Sequence, residues 1–427
     1  MVSFSDHLWL ARLFAVVALG WMGPLVPREV VADEHLVHPG ERPQEVLDRA
    51  QPGDRLVFLP GVHQHQLSRH RAVLYVDKSL EIELREGATL KLAPGTIQRE
   101  AVGEITTDQD ASKKLDDLEI GGTFNLAQPT VEGPESYGNT IYTIVIDGVG
   151  ENGEPDTFAW GDGAIFDTPR RKVPITGDWQ TLSHGVQIRF GNQTGHSLRS
   201  LWFVSYDGPE AYGIRVGHGR QADYIENVKI FGKGTIDLSA SQNALPSGLV
   251  KNINACILIH GRVRGVTIEG LTMTDTMRSV MAYGEHTGTF LPGGRVGPGE
   301  SFDVEDVTVR RTRTLNPKGS GYLFGHPSFR GQIRRVRCLE NYMETGLTAI
   351  EPNFNLDDYE VVGNVIKSAG QAIHCWRRST RGLVADNLRI HDNSGKPVVV
   401  VNSPRGWEPP EPPVLRNNRN HLSDPMR

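Results

Sequence analysis

Chemically useful side chains recur at regular intervals in the second half of the chain. His326, Glu351 and Trp376 each occupy the fifth position of a short apolar segment. If those segments are strands stacked about 4.8 Å apart, the three side chains become neighbours in one row. Imidazole and carboxylate groups supply a base and an acid, and an indole supplies a surface that stacks on a sugar. The row therefore predicts a catalytic site that contains His326 and Glu351.

More polar residues follow the same segments, at positions where side chains are expected to turn outward. Arg377 joins the predicted catalytic residues because its guanidinium can neutralise a carboxylate on a substrate. Taken singly, each of these residues is better explained as an ordinary polar residue of a turn. Taken together they predict a substrate-binding surface, which we assign to Glu285, His286, Asn353, Trp376, Arg378 and Asn402.

Two reactions are compatible with this set. In a β-elimination, Arg377 or a metal ion neutralises the carboxylate of an acidic sugar, and His326 removes the neighbouring proton. In a hydrolysis, two carboxyl groups flank the glycosidic bond, and Glu351 and Glu285 are the pair near the row. We expect a lyase that cleaves an acidic polysaccharide. A glycoside hydrolase and a non-catalytic glycan-binding protein are the alternatives.

The segment Gly370 to Thr380, GQAIHCWRRST, places a histidine beside a cysteine. On a strand, His374 and Trp376 share one face while Cys375 points the other way, so His374 and Cys375 cannot chelate one metal ion. We expect Cys375 to point into the core as an inert thiol. The two other cysteines of the chain are also expected to be buried.

The apolar segments repeat with a period of about 25 residues. Repeats of this length bury a core only by stacking on one another. The one long interval contains a Gly-rich loop, Thr287 to Ser301, that is expected to project from the stack. His260 and Tyr283 alternate with apolar residues and are expected in or near the core. Segment starts at Ile257, Val280, Tyr322, Leu347, Ala372 and Val398 are 23, 42, 25, 25 and 26 residues apart.

Two segments carry a resemblance to a known fold. A helical pattern from Pro43 to Ala50 leads into "PGD" and "PG" turns around a strand, and Gly232 to Asp237 read GKGTID. These elements resemble right-handed parallel β-helix proteins of the pectate-lyase-like superfamily, in which a small helix caps the coil. The resemblance implies an all-β fold. A polygalacturonase-type hydrolase is disfavoured, because "NTD" is absent and the "GHG" at Gly217 to Gly219 precedes the GTID segment.

Pairs of acidic and imidazole side chains raise the question of a metal. Some β-helix lyases bind Ca²⁺, and the resemblance to them makes Asp357-Asp358 a candidate calcium site. A structural role in a turn before a strand explains the two residues better. His63 and His65 share one face of a strand, and a solvated strand edge is the better interpretation. No cofactor is firmly predicted, and Ca²⁺ stays an open alternative.

The regular pattern is interrupted by an insertion at residues 101–206. Its "PDTFAW", "LSHGVQIRFG" and "TGH" elements resemble a β module inserted in various bacterial and phage-associated surface proteins. We expect a small antiparallel β-sandwich with an accessory role. The predicted coil then comprises an N-terminal cap with the first turns at 33–100 and a main part at 207–405, followed by a proline-rich tail at 406–427.

Composition and the N-terminus predict where the protein acts. The net charge is −6 and no Lys/Arg-rich block occurs, so nucleic-acid binding has no support. The apolar run Leu13 to Val26 follows Arg12 and precedes small residues ending at Ala32, which indicates a signal peptide at 1–32. We expect a secreted, periplasmic or cell-surface monomer without a membrane span in the mature chain. Its expected partner is a polysaccharide substrate.

Overall fold

The structure is a computed structural model, and it contains few helices among the residues it describes. Helix α1 is Pro43–Arg49, a 3₁₀ turn is Arg69–Arg71, and helix α2 is Ala240–Asn243. None of the described helices is long and apolar enough to cross a membrane. The structure describes residues 32–97, 104–105, 117–125, 128, 141–162, 170–205, 210–219, 221–243, 254–286, 298–325, 331–345, 347–368, 370–375, 379–390, 397–401 and 411–421.

The first strands lie next to helix α1, which begins with a proline as helices often do. The Gln44 side chain accepts a hydrogen bond from the Tyr75 main-chain N–H at 2.7 Å and donates one to the Tyr75 carbonyl at 3.1 Å. These bonds occupy main-chain groups of an end strand that would otherwise be open to pairing. The strands are β1 (Glu34–Val37), β2 (Arg55–Phe58), β3 (Gly61–His65), β4 (Ala72–Val76), β5 (Glu81–Leu84) and β6 (Ala88–Leu92).

The insertion supplies the next strands, which pair antiparallel. They form one sheet in the order β12-β11-β10-β15, a second in the order β13-β14-β8, and the pair β7-β9. Their bounds are β7 (Glu104–Ile105), β8 (Leu118–Gly122), β9 (Phe124–Asn125), β10 (Ile141–Gly148), β11 (Thr157–Asp162), β12 (Arg170–Pro174), β13 (Gln180–Thr181), β14 (Val186–Phe190) and β15 (Leu201–Ser205).

The two larger antiparallel sheets share one hydrophobic cluster, which includes Ile144, Phe158, Ile188 and Trp202. This is the packing of a β-sandwich. The "TGH" histidine lies at its edge. His196 places Nδ1 2.9 Å from Asp156 Oδ2 and Nε2 2.8 Å from Asp117 Oδ2. The imidazole therefore ties together the two segments that carry these carboxylates.

The remaining strands continue the coil. They are short because each turn passes through three strands before it returns. Their bounds are β16 (Ala211–Val216), β17 (Ile225–Gly232), β18 (Thr235–Asp237), β19 (Asn254–His260), β20 (Val263–Glu269), β21 (Thr272–Thr274), β22 (Arg278–Tyr283), β23 (Glu285–His286), β24 (Ser301–Phe302), β25 (Val304–Arg310), β26 (Arg313–Leu315), β27 (Tyr322–Phe324), β28 (Ile333–Leu339), β29 (Tyr342–Thr345), β30 (Ile350–Pro352), β31 (Leu356–Val362), β32 (Val365–Ser368), β33 (Ile373–Cys375), β34 (Thr380–Ala385), β35 (Leu388–Ile390), β36 (Val399–Val401), β37 (Val414–Arg416) and β38 (Arg419–His421).

Among the described residues, three parallel sheets make up the coil. Sheet 1 has ten strands in the order β1-β2-β5-β17-β20-β25-β28-β31-β34-β37. Sheet 2 has nine in the order β3-β6-β18-β21-β26-β29-β32-β35-β38, and sheet 3 has eight in the order β4-β16-β19-β22-β27-β30-β33-β36. The chain visits the sheets in a fixed rotation. This is the right-handed parallel β-helix predicted from the sequence.

The coil is continuous across the insertion. Strand β16 pairs directly with β4, so that Ile214 lies opposite Leu74 although a sandwich separates them in sequence. Both side chains belong to the hydrophobic cluster that fills the coil. The insertion therefore leaves the stacking of the turns intact.

A ladder of asparagines fixes the turn from sheet 1 to sheet 2. Asn341 Nδ2 donates to Asn364 Oδ1 at 2.9 Å, and Asn364 Nδ2 donates to Asn387 Oδ1 at the same distance. Asn387 bonds Asn418 in the same way. Each amide also bonds main chain of the preceding turn, for instance Asn364 Nδ2 to the Cys338 carbonyl at 3.0 Å. Buried turns thus satisfy their polar groups.

Two details differ from the sequence expectations. In sheet 3, Tyr322 pairs with Ile350, and not with Leu347, because the chain makes turns over 347–349 before β30 begins. The expected tail at 406–427 includes strands β37 and β38, which pair with β34 and β35. The coil therefore takes one further partial turn.

Candidate functional site

The outward-facing layer of sheet 3 carries the candidate site. Side chains alternate along its strands, so Ile257 and Ile259 enter the core while Leu258 and His260 face outward. Register aligns the outward residues of successive strands. In sequence order that row is Tyr75, Arg215, Leu258, Met281, Leu323 and Glu351, and His374 follows on β33.

This outward layer is buried although it lies outside the coil's core. Most of its ionisable members have relative exposures below a tenth, which is unusual for such side chains, whereas Glu351 is partly exposed. Buried ionisable groups cost folding free energy unless they are hydrogen-bonded or paired. Such groups are Tyr75 at 4%, Tyr212 at 4%, Arg215 at 5%, His260 at 6%, Arg278 at 9%, Tyr283 at 4% and His374 at 4%.

His260 is held between an arginine and a glutamate. Arg215 Nη2 lies 3.3 Å from His260 Nδ1. A guanidinium only donates, so Nδ1 must accept, and the ring proton of the neutral imidazole is on Nε2. Nε2 lies 3.2 Å from Glu285 Oε1. The contacts therefore orient a neutral imidazole whose N–H faces the Glu285 carboxylate.

Arg215 also anchors the two loops around this pair. Its Nε donates to the Gly217 carbonyl at 3.1 Å, its Nη2 to the His218 carbonyl at 3.2 Å, and its Nη1 to the His70 carbonyl at 2.8 Å. The rings of His70 and His218 stack with centroids 4.9 Å apart. The buried guanidinium of Arg215 thus joins the Gly217–Gly219 loop to the 3₁₀ turn Arg69–Arg71.

The Gly217–Gly219 loop passes directly over the histidine and glutamate pair. Gly219 has φ +113°, a conformation that favours glycine. A Cβ there would lie 2.9 Å from His260 Cε1 and 3.0 Å from Glu285 Oε1. Only a residue without a side chain fits between this loop and the pair.

Two buried tyrosines complete the layer. The Tyr283 ring meets the His260 ring edge-on at a centroid distance of 6.2 Å. Burial raises the pKa of Tyr283, the carboxylates of Glu210 and Glu351 raise it further, and Arg278 opposes them. Both carboxylates therefore lie within electrostatic reach of one phenol.

The second phenol, Tyr212, contacts one of these carboxylates directly. Its hydroxyl donates to Glu210 Oε2 at 2.7 Å, and burial together with Glu210 raises its pKa. The Arg215 guanidinium lies 5.4 Å from the ring centroid, so Tyr212 links Glu210 to the arginine that orients His260. Because the pKa values of Tyr212 and Tyr283 are both raised, the phenols stay protonated at neutral pH and act as hydrogen-bond donors.

Glu351 is the predicted catalytic residue that the structure describes. It lies on β30, is partly exposed, and accepts a hydrogen bond from the Ser320 hydroxyl. Asn353 follows on the same segment, 6% exposed, with its main-chain N–H bonded to the Phe324 carbonyl at 2.8 Å. Among the described residues, Asn353 Oδ1 has no hydrogen-bond partner. Glu351 is therefore the more accessible of the two polar side chains of this segment.

The structure places the predicted residues unevenly. Glu285 and His286 form β23, which pairs antiparallel with β24 and closes the base of the predicted Gly-rich loop. Glu285 lies at His260, whereas Glu351 pairs across the sheet with Leu323 and not with the position of His326. The remaining predicted site residues lie outside the described residues: His326, Trp376, Arg377, Arg378 and Asn402.

Sequence reasoning missed Arg215 and did not include His260 in the site. The prediction that His260 lies in or near the core is confirmed by its exposure of 6%, and the residue faces outward from the coil's core. On a strand, Ile257 and Ile259 share one face, so His260 must lie with Leu258 on the opposite face. This spacing could have predicted the orientation of His260. The partnership with Arg215 had no local signal, because the two residues lie on different turns of the coil.

The thiols behave as predicted. Cys256, Cys338 and Cys375 are all fully buried in the coil's core. Burial raises the pKa of the Cys375 thiol to about 11, so it stays protonated and inert. Burial lowers the pKa of the neighbouring His374, which faces the other way and is neutral near pH 7.

The metal alternatives gain no support from the described residues, which contain no group of three or more ligating side chains. Asp357 lies within β31 and not in a turn, and it accepts hydrogen bonds from Arg381 Nε at 2.9 Å and Thr380 Oγ1 at 2.7 Å. His63 is fully buried and not at a solvated edge. It points into the coil, with Nε2 2.8 Å from the Leu59 carbonyl.

Among the comparisons with known proteins, only the solved structures gave matches. No protein-family model matches the chain, and no curated protein matches it. A polygalacturonase from Erwinia carotovora ssp. carotovora is 11% identical with a TM-score of 0.40, over 90% of this chain and 83% of that one. A family 28 exopolygalacturonase from Yersinia enterocolitica is 11% identical with a TM-score of 0.45, over 91% of this chain and 66% of that one.

A third solved structure, a hyperthermoactive exopolygalacturonase from Thermotoga maritima, is 10% identical with a TM-score of 0.27. The alignment covers 84% of this chain and 88% of that one. At such identities the side chains of the site have to be interpreted from this chain alone. The parallel β-helix itself is established by the pairing of its own strands.

Proposed function

We propose that the chain is a polysaccharide-active enzyme whose active site is the outward-facing layer of sheet 3. The observation that supports this proposal is the concentration of buried ionisable groups in a layer that is not the core. Strongly perturbed groups clustered on one face are typical of catalytic sites. Tyr212, Tyr283 and His374, whose pKa values are all shifted by burial, lie in this one layer.

The described groups favour hydrolysis over elimination. Arg215 lies 3.3 Å from Nδ1 of His260, and Glu285 lies 3.2 Å from Nε2, so we assign this histidine to positioning a carboxylate and not to abstracting a proton. Glu285 is then assigned as the base or nucleophile. Glu351, which is partly exposed in the same outward-facing row, is then assigned as the acid that protonates the leaving oxygen. In this proposal Glu285 is the base or nucleophile of a glycosidase and Glu351 is its acid.

An acidic-polysaccharide lyase is the second candidate. Arg278 brings a positive charge into the same layer at 9% exposure, and a guanidinium there can neutralise a uronate carboxylate. The base and second arginine of this mechanism remain the predicted His326 and Arg377. A polysaccharide substrate outside the cytoplasm would agree with the export signal predicted at 1–32.

Product analysis on a panel of polysaccharides tests the proposal. Hydrolysis releases new reducing ends without ultraviolet absorbance from an unsaturated sugar, whereas elimination produces both. Glu351→Gln is expected to abolish the release, while Glu344→Gln on sheet 2, whose carboxylate binds Tyr342, is expected to leave it unchanged. A panel that yields neither product would leave a glycan-binding protein and overturn the enzymatic proposal.

A further inference from the structure

The insertion carries a second surface suited to a ligand. In the sheet β13-β14-β8, Ile120 and Ile188 face the sandwich core. By alternation, Gly121 and Gln187 face the other way, and they are paired across the two strands. Trp179, just before β13, lies on this outer face with 42% of its surface exposed. The described part of this sheet exposes no other large apolar side chain.

The Trp179 ring is fixed in place from two directions. A Cβ on Gly121 would lie 2.7 Å from both Cη2 and Cζ3 of the indole, so the ring packs directly on the main chain of β8. The guanidinium of Arg189 lies 4.8 Å from the ring centroid. Arg189 is itself held by Glu119, with Nε 3.1 Å from Oε2. An exposed indole is thus immobilised before any ligand arrives.

Polar groups lie beside the ring, and the charge of Arg189 among them is paired. Gln187 Nε2 donates to Thr181 Oγ1 at 3.2 Å on the same face. The Arg189 charge is balanced by Glu119. We refer to Trp179, Gly121, Gln187 and Arg189 as the Trp179 platform. Its composition is one flat apolar surface with amide, hydroxyl and guanidinium donors beside it.

We propose that the Trp179 platform is an accessory polysaccharide-binding site. The flat C–H face of a glycosyl ring stacks on the indole, and its hydroxyls bond the neighbouring amide and hydroxyl groups. A fixed ring loses little side-chain entropy on binding. Because the Arg189 charge is paired with Glu119, we expect stacking on the indole to supply most of the binding and a neutral sugar unit to suffice.

The geometry favours a glycan over a protein partner. A stable protein interface needs about 800 Å² on each side with an apolar centre. A single indole in a polar surround falls well short of that, whereas it matches the size of one sugar ring. The inference concerns the insertion alone and does not depend on the enzymatic proposal for the coil.

Affinity electrophoresis of the full chain tests this site. Native gels containing hydroxyethylcellulose, xylan, galactomannan or polygalacturonate would be compared with a polymer-free gel. At least one neutral polymer is expected to retard the wild-type chain, and Trp179→Ala is expected to weaken that retardation roughly tenfold or more. Added salt is expected to leave the retardation in place.

Tyr224→Ala is the matched control, since Tyr224 is 37% exposed and lies 4.5 Å beneath Arg264 on sheet 1. It should be retarded like wild type, and Trp179→Phe should retain part of the retardation. Glu351→Gln should bind normally, which separates this site from the proposed active site. Wild-type mobility unchanged by every neutral polymer, equal retardation of Trp179→Ala, or loss of binding in salt would each overturn the proposal.

Discussion

The outer layers of sheet 1 and sheet 3 use similar residues in opposite ways. On sheet 1, arginines and glutamates of adjacent strands pair at the surface, as in Arg310 with Glu269 at 2.7 Å and Arg264 with Glu226 at 3.4 Å. The two arginine side chains are 40% and 42% exposed. On sheet 3, Arg215 is 5% exposed and bonds three carbonyls and a histidine. Solvent therefore hydrates the arginines of sheet 1, whereas protein groups alone satisfy Arg215 on sheet 3.

This difference separates a solubilising surface from a candidate active site. Exposed ion pairs contribute about 0–1 kcal/mol each, because solvent screens them and the side chains lose entropy. Buried charges have no such tolerance, since each lost partner leaves an unsatisfied group in a medium of low dielectric. The same types of substitution should therefore have unequal consequences on the two sheets, and the following changes test this.

The largest difference is expected in turnover. Glu351→Gln removes the proposed acid and should lower turnover of the polysaccharide by about 10²–10⁴-fold, the usual contribution of general acid catalysis. Glu269→Gln on sheet 1 removes a carboxylate bonded by Arg310 and Arg311 and should leave turnover unchanged. Initial rates measured from reducing ends check both. Equal activity of Glu351→Gln and wild type would remove sheet 3 as the site.

A smaller effect is expected from the arginines. Arg215→Met deletes four hydrogen bonds in a buried setting and should lower the free energy of unfolding by about 3 kcal/mol. Arg337→Met on sheet 1 breaks an exposed pair with Glu360 at 3.5 Å and should cost about 0–1 kcal/mol. Urea unfolding of both variants measures the difference. Similar losses in the two variants would show that burial does not distinguish the layers.

The period of the coil could be predicted from the sequence because it is a local property. Apolar segments about 25 residues apart, glycines at turns and inward cysteines each follow from alternation and core burial. The register between neighbouring strands was harder to predict from the sequence. Strand β30 begins at Ile350 after a turn, so a count from Leu347 placed Glu351 opposite the wrong residue.

The site depends on contacts between distant turns, and these had no local pattern. Glu285 was predicted as a site residue, whereas its partner His260 was expected only as a residue in or near the core. Gly219 lies over His260, and Arg215 hydrogen-bonds it, only because different turns of the β-helix stack on one another. Alternation fixes which face a side chain occupies, but it does not predict which loop covers that face.

The cover itself can be tested with two glycines that share a positive φ. Gly219→Ala adds a Cβ within 3.0 Å of His260 and Glu285 and should cost about 2 kcal/mol and reduce turnover. Gly363, after β31 of sheet 1, has φ +67° and open space to 3.6 Å, so Gly363→Ala should cost about 1 kcal/mol through its backbone alone. Thermal melts and rates measure both. Unchanged turnover in Gly219→Ala would contradict contact between the loop and the site.

The smallest expected difference is the pH range in which each layer loses stability. Burial lowers the pKa of His374, so the folded state resists protonation that the unfolded chain accepts near pH 6.5. Its contribution is complete above that pH and is lost as the pH falls through the folded value. Asp306 on sheet 1 has its pKa lowered by the Arg335 hydrogen bond, so its contribution is lost below about pH 4.

Melting temperatures between pH 7 and pH 3 separate these two contributions. His374→Leu should flatten the decline in stability that begins below about pH 6.5, because it removes a group that resists protonation in the folded state. Asp306→Asn should leave the onset of that decline unchanged and alter the decline below about pH 4. If His374→Leu declined as steeply as the wild type just below about pH 6.5, the histidine would be solvated like a sheet 1 residue. The contrast between the two outer layers would then rest on Arg215 and its neighbours alone.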